Sequence, residues 1–282
     1  MKPGTLYIVA TPIGNLGDVS LRAIETLKQV TLIAAEDTRH SRVLLAHYGI
    51  TTAVTSLFDH NENQVAPRLL QQLKAGNSLA LISDAGTPTI HDPGYVLVNQ
   101  ARAEGIAVVP IPGACAAIAA LCASGLPAYQ FVFEGFLPAK ATARRTRLEI
   151  LRGESRTLVF YEAPHRLSAT LQDLVACFGE QRSAVIAREL TKLHESFYAD
   201  KLGNLATQTG LDPYMEKGEI VILVQGQDPQ TTAPAAFLEA KRITHIIKEA
   251  LPLSQAIALA AEITRVNKNQ LYRAFHETGE EI

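Results

Sequence analysis

Cysteine is scarce: the 282-residue chain has three, Cys115, Cys122 and Cys177, and no C-x-x-C. An odd count without that spacing argues against a disulfide framework, and it suits a reducing cytoplasm. Net positive charge is lacking as well. Lys and Arg number 26 against 28 Asp and Glu, giving a formal charge of -2. No global basic field therefore announces a nucleic-acid partner, although a local patch would suffice to bind one. Long unbroken apolar runs are also missing. "IAVVPIPGACAAIAALCASG" is interrupted by Pro110, Pro112 and Gly113, so it reads as strand, turn and buried helix, not a membrane span. The opening "MKPGTLYIVATPIG" has too short an apolar core for a signal peptide. Finally, neither G-x-G-x-x-G, G-x-x-x-x-G-K-[ST] nor H-E-x-x-H occurs. The usual phosphate cradles are thereby excluded, and no ligand cluster suggests a catalytic metal.

What is present is ordinary globular composition, 47% hydrophobic and 19% charged, enough for one large domain or two medium ones. Short apolar runs at 6–10, 31–35, 79–82 and 107–111 read as strands. Between them lie helical patterns at 20–30, with Ser20 as cap, and at 64–76, with Gly76 just past the end. Asp92-Pro93 reads as an N-cap followed by Pro at the first helical position of a helix that stops at Gly105. Apolar strands between helices indicate a mostly parallel sheet covered on both faces, with ligand sites at the strand carboxyl ends. A second set follows: strands near 130–136, 157–161, 183–187 and 219–226, with helices at 142–151 and 164–176. The fold class is thus α/β with two α/β domains, 1–115 and 116–228. "QDPQTTAPAA" (227–236) has linker composition, and 237–282 forms a helical tail. Within that tail, 253–277 reads as two short helices, Ser254 and Asn267 being plausible caps. It is either a helix-turn-helix or a hairpin packed on the body or on a second subunit.

Three strand-end turns could carry chemistry. "ATPIGNLGDVS" (10–20) places Pro12, Gly14 and Gly17 before a helix. "LISDAGTPTIHDPG" (81–94) puts Asp84 directly after a buried strand, beside Ala85, Gly86 and Thr87. With no Lys, this loop suits a ligand bearing cationic or hydroxyl groups better than a triphosphate. "IPGACAA" (111–117) opens a helix of very small residues that leaves room against the backbone.

Taken with "FYEAPHR" and "ARELTKLHE", these stretches resemble the bacterial 16S rRNA (cytidine-2′-O)-methyltransferases of the tetrapyrrole methylase superfamily, over about the whole chain. The resemblance implies S-adenosylmethionine as cofactor, folded in the cleft between two α/β domains. It implies contacts from Pro12, Asp84, Ala85, Gly86, Thr87, Cys115 and Ala116 in the first domain. From the second come Tyr161, Glu162, Ala187 and Gly218. The family often carries Ser or Thr in the turn after Pro-Gly, where this chain has Ala114-Cys115-Ala116, so backbone contacts are expected there. The resemblance further implies a cytidine in the decoding region of the assembled small subunit as target, and a homodimer.

Methyl transfer to a ribose hydroxyl needs alignment, exclusion of water and a proton acceptor. Candidate bases are Glu36, Asp37, His60, Glu62 and Glu189, with none singled out. For RNA, "PAKATARRTRLEILRGESR" offers Lys140, Arg144, Arg145, Arg147, Arg152 and Arg156 against two glutamates, with Arg144, Arg145 and Arg152 expected partly outward. Arg39 and Arg42 are weaker candidates, as are Arg265, Lys268 and Arg273 in the tail. Two alternatives stay open: a tetrapyrrole C-methyltransferase, and a non-catalytic ribosome-binding module.

Overall fold

The computed structural model describes residues 3–277; residues 278–282 of the expected tail lie outside the described residues. The first lobe runs β1 (Thr5–Val9), α1 (Leu21–Gln29), β2 (Leu32–Ala35), α2 (Thr38–His47), β3 (Val54–Ser56), α3 (Glu62–Lys74), β4 (Leu79–Ile82), α4 (Tyr95–Ala103) and β5 (Ala107–Ile111). All its strands are parallel, in the order β3-β2-β4-β1-β5. Strand pleating splits the apolar run 79–82 between two faces. Leu79 and Leu81 pack with Leu69, Leu73 and Leu97 of α3 and α4. Ala80 and Ile82 pack with Ala23, Leu27 and Leu45 of α1 and α2. Both faces are therefore covered, and the carboxyl ends of the central strands carry the exposed loops.

The second lobe runs α5 (Ala116–Ala123), β6 (Phe131–Phe136), α6 (Ala141–Leu151), β7 (Thr157–Glu162), α7 (Leu167–Phe178), β8 (Ser183–Arg188), β9 (Ser196–Lys201), α8 (Leu202–Thr209) and β10 (Ile220–Val224). Its order is β6-β7-β10-β8-β9, and only β6–β7 is parallel. One face packs on α6, α7 and α8. The other carries Val159, Val185, Ala187, Val221 and Leu223 against α5 and against Ile13 of the first lobe. That second face is how the two sheets come to enclose a common space.

Three helices follow: α9 (Pro229–Ile247), α10 (Leu253–Thr264) and α11 (Lys268–Glu277). They share a separate core of Ala240, Ile257, Ala260, Leu271 and Phe275. Residues 229–236, whose composition suggests a linker, begin α9 instead. Asn267 does cap α11, its side-chain oxygen accepting from the Asn269 and Gln270 amides. Ser254 does not cap α10, whose N-cap is Pro252.

Candidate active site

Three loops of the first lobe are stitched into one wall. Thr11 and Gly86 exchange backbone hydrogen bonds of 2.8 and 3.1 Å. Thr87 Oγ1 donates to the Ala114 carbonyl at 2.9 Å. The turns after β1, β4 and β5 thereby meet at one end of the sheet, where β4 inserts between β2 and β1. Such a switch in strand order is where parallel α/β sheets open a crevice.

The crevice is a cleft of 510 Å³ between the lobes. The first lobe contributes Ile13, Glu36, Ala85–Thr87, Ile90–Asp92 and Cys115–Ala116. Facing them are Phe136, Tyr161–Pro164, Leu190 and Gly218–Val221. An aromatic wall joins the two sides. The His91 ring lies 5.0 Å from Phe136, and Phe136 lies 5.7 Å from Tyr161. The Tyr161 hydroxyl accepts from the Ala117 amide at 3.2 Å, fixing the start of α5. Thr89 and His91 adopt left-handed φ values of 72° and 69°, as do Glu189 and Thr191 across the cleft at 51° and 65°. Strain of this kind gathers at ligand sites.

Four carboxylates meet at the cleft, two of them paired and two not. The charged groups lining the cleft are Glu36, Asp92, Glu162 and Glu219, with His91 beside them and, among the described residues, no Lys or Arg. Glu162 and Glu219 are committed: Glu162 accepts from Thr170 at 2.6 Å and the Ala163 amide at 2.8 Å and pairs with Arg166 at 3.1 Å, and Glu219 pairs with Lys192 at 3.2 Å. Glu36 and Asp92 form no salt bridge with Lys or Arg among the described residues. Burial raises the Glu36 carboxyl, and neighbouring Asp84, Asp59 and Asp37 add to the rise against an opposing hydrogen bond from the Asp84 amide. Burial likewise pushes Asp92 up to about 6, with Glu36 and Asp84 repelling its charge and the Ser83 hydroxyl opposing the rise. The cleft therefore suits a cation with an apolar body, not a polyphosphate.

A smaller cavity of 300 Å³ adjoins it on the α2 side, lined in part by Pro12, Ser41, Ser83 and Asp84. Residues 5–206 match the family of tetrapyrrole (corrin/porphyrin) methylases, and residues 234–278 match the RsmI C-terminal HTH domain. The ribosomal RNA small subunit methyltransferase I of Xylella fastidiosa (strain Temecula1) is 56% identical over 96% of this chain and 98% of that protein. The protein of the same name from Escherichia coli O157:H7 is 52% identical over 96% and 94%. The chain belongs to the ribosomal RNA small subunit methyltransferase I family. Solved structures show the same fold at low identity. Diphthine synthase superposes with a TM-score of 0.59 at 16% identity, covering 79% of this chain and 90% of that one. The cobalt precorrin-4 methyltransferase gives 0.58 at 14%, covering 78% and 94%.

In this family member the larger cleft gathers Ala85, Gly86, Thr87, Cys115, Ala116, Tyr161, Glu162 and Gly218. Pro12 and Asp84 line the smaller cavity instead. Ala187 lines neither; it is buried in β8, paired with Val221. Of the candidate bases, Glu36 alone lines the cleft. Asp37 caps α2 and is bound at both oxygens by Arg39, which holds its carboxyl well below the usual range. Glu62 is buried and accepts from the Leu97 amide at 3.0 Å, joining α3 to α4. His60 sits in an exposed turn. Glu189 binds Lys192 and the Glu219 amide, which lower its carboxyl although burial works the other way.

Asp92 and Arg144 depart from the sequence expectation. Asp92 does not cap α4, whose N-cap is Gly94 at a φ of 122°. A Cβ there would meet the Leu81 side chain at 2.4 Å, so the chain must stay glycine while Asp92 is left to face the cleft. Sequence reasoning missed Asp92 as a site residue because Asp-Pro is such a common helix start. Arg144 points inward, not outward. It is 4% exposed and donates to Asp173 at 2.7 Å. Arg145 binds the same carboxylate at 2.6 Å, and Arg147 is bidentate to Glu134. Of the cations expected to meet RNA, Arg144 alone is buried; Arg145, Arg147, Arg152, Arg156 and Arg39 are exposed but paired with carboxylates, and Lys140, Arg42, Arg265, Lys268 and Arg273 are exposed as well.

Proposed function

We propose that this chain transfers a methyl group from S-adenosylmethionine to the ribose 2′-hydroxyl of a cytidine in 16S rRNA of the small ribosomal subunit. The observation that carries the reading is an apolar cleft with two unpaired acids, Glu36 and Asp92, in a member of an rRNA methyltransferase family. That lining fits the donor: its sulfonium and ammonium outweigh its one carboxylate, and it has no phosphate. A porphyrin-type macrocycle with several carboxylates would meet repulsion from the same wall.

When bound, the donor supplies a methyl group already activated by its sulfonium. The chain's part is binding, orientation and proton handling. Ala85, Gly86, Thr87, Cys115 and Ala116 would hold it through main-chain groups, Gly86 allowing close approach at a φ of 86°. Tyr161, Glu162 and Gly218 would close the opposite side, the lobes 1–115 and 116–228 gripping it between them. Glu36 and Asp92 are the acids placed to accept the proton of an incoming hydroxyl. The shifted Asp92 carboxyl leaves it ionised yet basic near neutral pH. Lys140 and Arg39, with the tail, would meet RNA phosphates, and the enzyme would act in the cytoplasm as a homodimer.

The test is methyl transfer from tritiated S-adenosylmethionine to unmodified small subunits, followed by nuclease mapping. Label on a cytidine ribose is the expected result. Label on no RNA ribose would overturn the reading.

A further inference from the structure

One aromatic ring at the mouth of the cleft is left half-uncovered by the way β6 is built. Phe133 pairs with Val159 and Phe136 with Tyr161, so both rings lie on the cleft face although three residues separate them. In a regular strand an odd spacing sends side chains to opposite faces. The register shift between Phe133 and Gly135 is a bulge that re-aims Phe136 into the cleft. Gly135 is held at a φ of 64°, and a Cβ there would stand 2.5 Å from His91 Nδ1. The glycine thus lets His91 of the first lobe come up beside the ring. His91 and Tyr161 meet Phe136 at interplanar angles of 52° and 64°, so neither stacks flat on it, and Phe136 stays 45% exposed. Ile90, on the same rim, is 40% exposed. Neither Phe136 nor Ile90 is among the residues expected to hold the donor.

The chain beyond the ring is fixed. The Leu137 and Pro138 carbonyls accept from Arg166 at 2.6 and 3.3 Å, and the Ala139 carbonyl accepts from Arg144 at 3.4 Å. That loop ends at Lys140, which is exposed and forms no salt bridge among the described residues. A bare aromatic ring and an unpaired ammonium, set apart by one rigid loop, match the two parts of a nucleotide. A base stacks on the ring, and a backbone phosphate meets the cation. A ribose that enters an interlobe cleft has to swing out of its RNA stack, and the base it carries then needs a new stacking partner. Resting on the methyltransferase reading, we propose that Phe136 is the stacking platform for the base of the target nucleotide and that Lys140 takes an adjacent phosphate. The ribose between them would then turn its 2′-hydroxyl into the cleft.

The experiment compares wild type, Phe136→Leu, Phe136→Tyr and Lys140→Gln by three measurements: donor affinity by calorimetry, kcat/KM on unmodified small subunits, and subunit affinity across a salt series. All three variants are expected to bind the donor as the wild type does. Phe136→Leu keeps an apolar side chain but offers no ring, and should lose roughly fivefold to a hundredfold in kcat/KM while the salt slope stays the same. Phe136→Tyr restores the ring and should recover most of that loss. Lys140→Gln should flatten the slope of log affinity against log salt by about one. Weakened donor binding in Phe136→Leu would assign the ring to the donor and overturn the proposal. So would wild-type kcat/KM in Phe136→Leu, an equal loss in Phe136→Tyr, or an unchanged slope in Lys140→Gln. Those outcomes are distinct from failure of the wild type to label any RNA ribose, which would overturn the methyltransferase reading itself.

Discussion

Asp92 and Gly218 show how much of the site depends on single positions. The Asp92 carboxyl titrates near about 6 in the fold, above an ordinary aspartate, because burial and the charges of Glu36 and Asp84 disfavour its ionised form. A folded value above the unfolded one means that Asp92 favours the fold most when protonated. That advantage is lost as pH rises through about 6. Asp92→Asn should therefore match the wild-type Tm near pH 4 and exceed it near pH 8, by on the order of 1 kcal/mol for a half-buried group. The same variant should slow methyl transfer by about a hundredfold if Asp92 accepts the proton. A Tm difference independent of pH would refute the titration argument. Gly218 makes a steric prediction. At a φ of 78°, its Cβ would stand 2.3 Å from the Glu189 carboxyl, which is pinned by Lys192 and the Glu219 amide. Gly86 has a similar φ of 86°, but the nearest atom to its Cβ would lie at an ordinary 3.4 Å. Gly218→Ala should then cost about 1–3 kcal/mol in chemical denaturation, and Gly86→Ala distinctly less. Equal costs would show that backbone conformation, not the Glu189 collision, decides.

Among the elements, α6 is where sequence and structure part most. Its basic run reads as an RNA-facing helix, yet Arg144 and Arg145 clasp Asp173, a residue of α7, and the Arg144–Asp173 pair is buried on both sides. Removing one partner of a buried pair strands the other charge. Asp173→Ala should cost about 3–5 kcal/mol, while Arg145→Gln, on an exposed side chain, should cost little. Denaturant midpoints with unchanged slopes would check both, and equal effects would mean that burial does not separate the two arginines. The partner lies 29 positions along the chain, so no local pattern announces it. Elements whose signal is local were legible: β4 as an all-buried apolar run, α1 with Ser20 accepting from the Ala23 amide at 3.1 Å. Those without one were not. β3 has three residues, and β9 is half-exposed throughout its length. The start of α2 depends on Asp37, which carries no apolar period. The site divides likewise. Turn glycines and the small residues after Pro112 are visible in sequence, whereas Asp92 gains its meaning only from what the folded chain leaves beside it.

For the molecule as a whole, the question is how a protein of net charge -2 holds RNA at all. The cleft is acidic, the arginines 144, 145 and 147 of α6 are committed to carboxylates, and Arg39 is paired. Besides Lys140 and Arg42, the helical tail is where cations stay outward. Arg265 takes a left-handed φ of 56°, ending α10, and Asn267 caps α11. Leu271 and Phe275 then face the tail's own core, and Lys268 and Arg273 lie exposed on the other side. This core is separate from those of the lobes, so charge changes on α11 should leave the cleft intact. Lys268→Glu with Arg273→Glu is therefore expected to keep both Tm and donor affinity. Binding to small subunits should weaken, and the slope of log affinity against log salt should flatten by about two, one for each phosphate that is no longer neutralised. Filter binding across a salt series reads this directly. An unchanged slope would remove α11 from the RNA interface and leave Lys140, Arg42 and Arg39 to account for it, whereas a loss of donor affinity would mean that tail and lobes are coupled despite their separate cores.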